Sequence, residues 1–183
     1  MAGLAIFGFV TDQVSKYGVF RWQYNNGAGG HYDLIPGVFQ LLAQFDHSAP
    51  MCDCVFATWS GPTPPRVNHG ALYGLGGEQA GMANIFFAIV SFIAAVAITI
   101  WGTRRSTKID LPLCAALGLI LGGTLGNLYD RIVFGGVRDF LHFYYFEFPV
   151  FNFADSCLVC GAFLLLIQAF FAAPAVKTEP AKV

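Results

Sequence analysis

Residues 111–140 read L-P-L-C-A-A-L-G-L-I-L-G-G-T-L-G-N-L-Y-D-R-I-V-F-G-G-V-R-D-F. From Leu111 to Tyr129 the stretch carries no charge, and Asp110 and Asp130 stand at its two ends. A bilayer core of about 30 Å needs roughly 20 apolar residues of helix, so this run has the length and composition of a span. Two further runs match it: residues 79–103 are uncharged, and so are residues 156–176, which Lys177 closes. Three such stretches in 183 residues leave buried helices of a soluble core as the weaker reading.

Composition agrees. The chain is 56% hydrophobic and 11% charged, with 19 Phe, against about 25% charged residues in an ordinary soluble domain. That balance opposes disorder, which needs low hydrophobicity and high net charge. A net charge of −1 with 10 Lys and Arg gives no nucleic-acid footprint. Five Cys, with Cys114, Cys157 and Cys160 inside apolar runs, do not make a disulfide scaffold.

The first segment is apolar through Thr11, then meets Asp12 and Lys16. A helix over residues 1–20 would be about 30 Å long at 1.5 Å per residue. Residues 1–10 lack the basic region of a cleaved leader, so the segment reads as an uncleaved first span. Arg104, Arg105 and Lys108 lie between the second and third spans, and Lys177 and Lys182 lie in the tail, whereas residues 17–82 hold only Arg21 and Arg66. The excess of cations places the short loop and both termini in the cytoplasm. The expectation is a membrane α-helical fold in one domain, residues 1–176, with a cytoplasmic tail at 177–183. Its four transmembrane helices lie at about 1–20, 84–102, 111–129 and 156–176, and residues 21–82 and 131–154 lie outside.

The outer region is not a plain linker. Residues 32–42, Y-D-L-I-P-G-V-F-Q-L-L, place β-formers around a Pro-Gly turn, as short strands do. Residues 46–66, with Cys52, Asp53, Cys54, Gly61, Pro62, Pro64 and Pro65, read as an irregular loop. Residues 140–153 are rich in aromatics and suit an interfacial belt, which sets the flanking Asp139 and Asp155 near the outer surface.

Ionisable residues within or at the edge of a membrane are costly, and each is a functional candidate. Asp12 and Lys16 are spaced i,i+4 with the acid first, the better order for a pair. They form either a local ion pair or a site for an acyl or headgroup moiety. Gly122 and Gly126 allow close helix packing. Asn127 and Arg131, also i,i+4, either join helices or present a guanidinium to a phosphate or carboxylate. Asp139 follows a Gly135-Gly136 break after the third span, and Asp155 precedes the fourth. Antiparallel spans return these two acids to one side. Close carboxylates share a proton and can then activate a water and protonate a leaving amine. The alternative is a pair of helix-end acids, with Asp155 favoured by the dipole at an N-terminus. His31, His47, His69 and His142 lack metallohydrolase spacing, and C-x-C beside His47 is a weak metal signal. No metal or cofactor is expected.

Five blocks in order carry a resemblance. They are D-Q-V-S-K at 12–16, N-H-G-A-L-Y-G at 68–74, G-G-T-L-G-N-L-Y-D-R at 122–131, G-V-R-D-F at 136–140 and F-N-F-A-D-S at 151–156. Together they resemble lipoprotein signal peptidase, also called signal peptidase II, over residues 10–165. The resemblance implies a bacterial inner-membrane aspartyl endopeptidase with four transmembrane helices and a small extracytoplasmic β-cradle. Its substrates would be diacylglyceryl-modified prolipoproteins, cleaved before the lipidated Cys, with membrane lipids as its other partners. The resemblance assigns the catalytic pair to Asp139 and Asp155 and the surrounding shell to Asn68, Asn127, Arg131 and Asn152. It matches Asp12 and Lys16 to positions of structure or lipid binding. Leu72 and Tyr73 depart from the family's usual residues, and residues 46–66 form an insertion in the cradle. A small transporter with a proton pathway, or a non-catalytic lipoprotein-binding homologue, are the competing functions.

Overall fold

The computed structural model describes residues 1–48, 59, 61–70, 78–104, 110–146 and 148–171. Four helices dominate: α1 (Ala2–Trp22), α2 (Glu78–Gly102), α3 (Leu111–Phe134) and α4 (Phe153–Phe171). Three strands, β1 (Gly30–Ile35), β2 (Phe39–Ala43) and β3 (Leu141–Phe143), form an antiparallel sheet in that order. The Pro-Gly segment is the turn of the β1–β2 hairpin, with Asp33 opposite Gln40 and Ile35 opposite Phe39.

The helices are inverted relative to a soluble bundle. On α1, Asp12 and Lys16 are buried while Ile6, Phe7, Val10 and Val14 face outward. Ile85, Phe86, Ile89 and Phe92 of α2, and Val159, Phe163 and Phe170 of α4, are likewise exposed. Apolar surface outside and charge inside is the arrangement lipid requires. Among the described residues, three helical stretches have the length and apolarity to cross a membrane: Gly81–Gly102, Leu111–Phe134 and Phe153–Phe171. The charges of α1 keep it out of that group, so four spans exceed what length and composition establish here.

Helix α3 is the hub and packs against α1, α2 and α4. Close approach to α1 needs its small residues. A Cβ on Gly122 would sit 2.8 Å from the Ala5 carbonyl oxygen, and one on Gly126 would sit 2.5 Å from Asp12 Oδ2. The helix begins at Asp110, whose side chain accepts the Leu113 N–H at 3.0 Å. It runs past Asp130 and ends at Gly135 in the left-handed conformation, φ 72°, which suits a residue without Cβ.

The loop at 46–66 is anchored at its base. Asp46 donates its N–H to the Pro64 carbonyl (3.0 Å), Arg66 to the Gln44 carbonyl (2.9 Å), and Phe45 pairs with Pro65 as an isolated bridge. Trp59 packs on Tyr24 and Phe45, and its indole N–H donates to the Thr63 carbonyl at 3.0 Å. Cys52, Cys54, Leu72 and Tyr73 lie outside the described residues.

Candidate active site

Two polar layers cross the bundle where α1, α3 and α4 meet. The inner one holds Asp12, Lys16, Asp130 and Arg138, all with 0% exposure. Two acids face two cations, so the formal charge cancels. Lys16 Nζ lies 2.8 Å from Asp12 Oδ2 and 3.3 Å from Asp130 Oδ2. Arg138 reaches Asp130 through Nη2 (2.8 Å), Nε (3.1 Å) and its backbone N–H (2.9 Å). The guanidinium is held between the Phe134 ring, 4.0 Å from its centroid, and the Tyr17 ring, 4.2 Å away. Gln13 Nε2 donates to Asp130 Oδ1 (3.2 Å) and to the Gly126 carbonyl (3.1 Å). Asp12 Oδ1 accepts the Ala154 N–H at 2.9 Å and thereby fixes the first turn of α4 to α1. Buried ions need this degree of pairing to offset their desolvation.

The outer layer is built from amides and acids. The Gly135 stop releases the chain from α3, and Asn68 and Val137 then exchange backbone hydrogen bonds at 2.7 and 2.8 Å. Two residues on, Asp139 is half-buried and accepts from Asn68 Nδ2 at Oδ2 (3.1 Å) and from Asn152 Nδ2 at Oδ1 (2.7 Å). Phe151 pairs with Leu141 and so brings Asn152 to this point. Asn152 also starts α4. Its Oδ1 accepts the Asp155 N–H (2.9 Å), and Asp155 Oδ2 accepts the Asn152 N–H (3.2 Å), a reciprocal cap. Asp155 Oδ1 accepts from Asn127 Nδ2 at 2.8 Å. Asn152 therefore touches both carboxylates, Asp139 through its side-chain NH2 and Asp155 through its backbone N–H.

Each of the four carboxylate oxygens receives one protein N–H and keeps capacity for a proton or a water. Among the described residues neither Asp139 nor Asp155 is ion-paired with a cation. Burial first, and the charge of Asp155 second, push the Asp139 carboxyl up to about 6. A pair with one ready proton and one ready base can perform acid–base hydrolysis.

Arg131 stands at the rim. Its Nη1 donates to the Asn127 carbonyl (3.3 Å), its guanidinium lies 5.6 Å from the Phe87 ring centroid, and Asn84 Nδ2 donates to its carbonyl (3.2 Å). All eight candidate residues thus fall in the two adjoining layers: Asp12 and Lys16 inside, the other six around the acids or at the rim. Gln13 and Asn84 had no role in the sequence reading. Gln13 was legible as an amide inside a charged helical motif, whereas Asn84 gave no signal.

The family described as signal peptidase (SPase) II matches residues 65–171. The lipoprotein signal peptidase of Rhodopirellula baltica is 36% identical over 182 residues, covering 92% of this chain and 70% of that protein. The lipoprotein signal peptidase of Pseudoalteromonas translucida is 42% identical over 105 residues, 56% of this chain and 63% of that one, so the match spans less than two thirds of the latter. A solved bacterial membrane enzyme, determined by the in meso method at 1.9 Å resolution, superposes with a TM-score of 0.68 at 25% identity. That superposition covers 93% of this chain and 92% of the other.

Proposed function

The chain belongs to the signal peptidase II family, and from that premise we propose that it is an aspartic endopeptidase of the bacterial inner membrane. It removes signal peptides from diacylglyceryl-modified prolipoproteins and cuts before the lipidated Cys. The observation that carries the aspartic assignment is the amide-bridged pair Asp139 and Asp155, each oxygen held by one N–H.

In this reading Asp155 is the base and Asp139 holds the proton. Asp155 takes a proton from water as the water oxygen attacks the scissile carbonyl, and Asp139 gives its proton to the carbonyl oxygen. On collapse the C–N bond breaks. The leaving nitrogen takes the proton held by Asp155, and Asp139 recovers one from the tetrahedral hydroxyl. Asn68, Asn127 and Asn152 orient the acids, Arg131 faces the substrate's polar linkage at the rim, and Asp12 and Lys16 support the layer from within.

The domain comprises residues 1–176, and α1 is its fourth span. Its outward Ile6, Phe7, Val10 and Val14 suit contact with membrane lipids, while Asp12 and Lys16 turn inward and pair with each other and with Asp130 of α3. The cationic loop and tail orient the acids to the extracytoplasmic side.

The direct test incubates purified protein with a diacylated prolipoprotein and follows signal-peptide release. Release is expected with the wild-type chain and unchanged with strong chelators, since two carboxylates suffice to activate the water. Failure to release the peptide would overturn the substrate, and chelator sensitivity restored by zinc would overturn the metal-free mechanism.

A further inference from the structure

Lys16 is buried on α1, a helix that contributes neither acid of the pair, yet it touches the outer layer. An ammonium has three N–H donors and no acceptor. Two contacts of Lys16 go to Asp12 and Asp130, and a third goes to Asn127 Oδ1 at 3.3 Å. Asn152 Nδ2 donates to the same oxygen at 3.2 Å. With its carbonyl end claimed by two donors, Asn127 has only its NH2 end to present to Asp155, and Nδ2 lies 2.8 Å from Asp155 Oδ1. Rotating that amide by half a turn would set its NH2 against the Lys16 ammonium and its carbonyl oxygen against the Asp155 carboxylate. Both contacts would be repulsive.

We propose that Lys16 is a positioning residue for peptide cleavage, acting through Asn127, whose amide it locks in the orientation that gives Asp155 an N–H. This rests on the reading of Asp139 and Asp155 as the reacting pair. Gln13 and Arg138 satisfy Asp130 without help from Lys16, so charge balance alone leaves the contact with Asn127 unaccounted for. A Lys16 that only neutralised Asp12 could be removed together with that charge at no cost to turnover.

The test is a cycle on the full-length enzyme with a diacylated prolipoprotein. The Asp12→Asn/Lys16→Met pair removes one charge of each sign, which leaves Asp130 and Arg138 balanced. It is expected to lower kcat by about tenfold or more while KM moves by less than about twofold. In an Asn127→Ala background the same pair should change kcat by less than about twofold, because groups that act in series are not additive. If the Met variant does not insert, Asp12→Asn/Lys16→Gln supplies a polar side chain one atom too short to reach Asn127, and the same loss is expected. Wild-type kcat in the charge-balanced variants, or an equal loss with and without Asn127, would overturn the proposal. If Asn127→Ala alone is below detection, the kcat and KM of the charge-balanced variant decide. Asp155→Asn is assayed alongside: turnover there would overturn the dyad itself, a result distinct from failure of the Lys16 arm.

Discussion

Asp130 and Asp139 are both aspartates at one end of the bundle, and their surroundings treat them in opposite ways. Asp130 meets Lys16, the Gln13 amide, and the Arg138 side chain and backbone N–H, and no part of it reaches solvent. Asp139 has one amide N–H on each oxygen and stays half-buried. Cations pair with the first on both oxygens, whereas only amides hold the second in place. In a membrane, where both acids are expensive, a cation partner marks an acid committed to structure. Amide partners mark one left free to exchange a proton.

The largest expected effect lies on the amide-held side. Asp139→Asn and Asp155→Asn should each abolish cleavage, a loss of about a thousandfold or more, at unchanged membrane abundance. Signal-peptide release per folded enzyme is the measurement, and substantial turnover in either variant would remove that acid from the mechanism. On the cation-held side the expectation is reversed. Asp130→Asn strands Lys16 and Arg138 with one carboxylate fewer, and breaking a buried pair this way costs about 3–5 kcal/mol. The Asp130→Asn protein should therefore be lost chiefly as folded material, seen as a lower Tm and lower abundance. Wild-type stability would end the contrast.

Much of this was legible in the sequence, for reasons that differ by element. The spans that became α2, α3 and α4 stand out because lipid demands long uncharged runs, and the hairpin stands out by its Pro-Gly turn and β-formers. Antiparallel spans alone set Asp139 and Asp155 on one side. The end of α3 was not legible. Asp130 looked like a boundary, yet the helix continues to Phe134, because a charge ends a span only when nothing inside can pair with it. Its partners come from α1 and from beyond the glycine break, and Gln13 is 117 residues away in sequence. Local periodicity cannot report such a contact. Asn152 enters the shell only through the family resemblance, and its contacts with both carboxylates are visible only in the structure. The loop at 46–66, irregular by its prolines, gave no hint that Trp59 would close it onto Tyr24 and Phe45.

Proton linkage sharpens the same contrast. The Asp139 carboxyl sits at about 6 in the folded protein against an ordinary value of 3.8. The native state therefore binds more protons than the unfolded state between those two values, and stability falls as pH rises from about 4 through 6. Ionised Asp139 costs up to about 2–3 kcal/mol above that window. Asp139→Asn should accordingly be more stable than the wild-type chain at pH 8 and no more stable near pH 4. Denaturation in detergent across that range checks it, and a destabilised Asp139→Asn at pH 8 would contradict the strain assigned to this site.

The smallest effect concerns the rim, where Arg131 belongs to neither regime. It lies near both acids, yet its described hydrogen bond is from Nη1 to the Asn127 carbonyl, and its own carbonyl is held by Asn84. A purely electrostatic role would accept Arg131→Lys, which keeps the charge. A directional role would not, because an ammonium gathers its N–H groups on one nitrogen and loses the planar fork, whose separate nitrogens can hold the Asn127 carbonyl and face a substrate in fixed directions at once. The geometry favours direction: the guanidinium lies near the Phe87 ring and bonds to the same residue that presents an N–H to Asp155. Arg131→Lys should therefore lose about tenfold or more in kcat/KM, roughly 1.4 kcal/mol of transition-state stabilisation, with abundance unchanged. Kinetics near wild type for Arg131→Lys would make Arg131 a point charge and move it to the cation-governed side of the comparison.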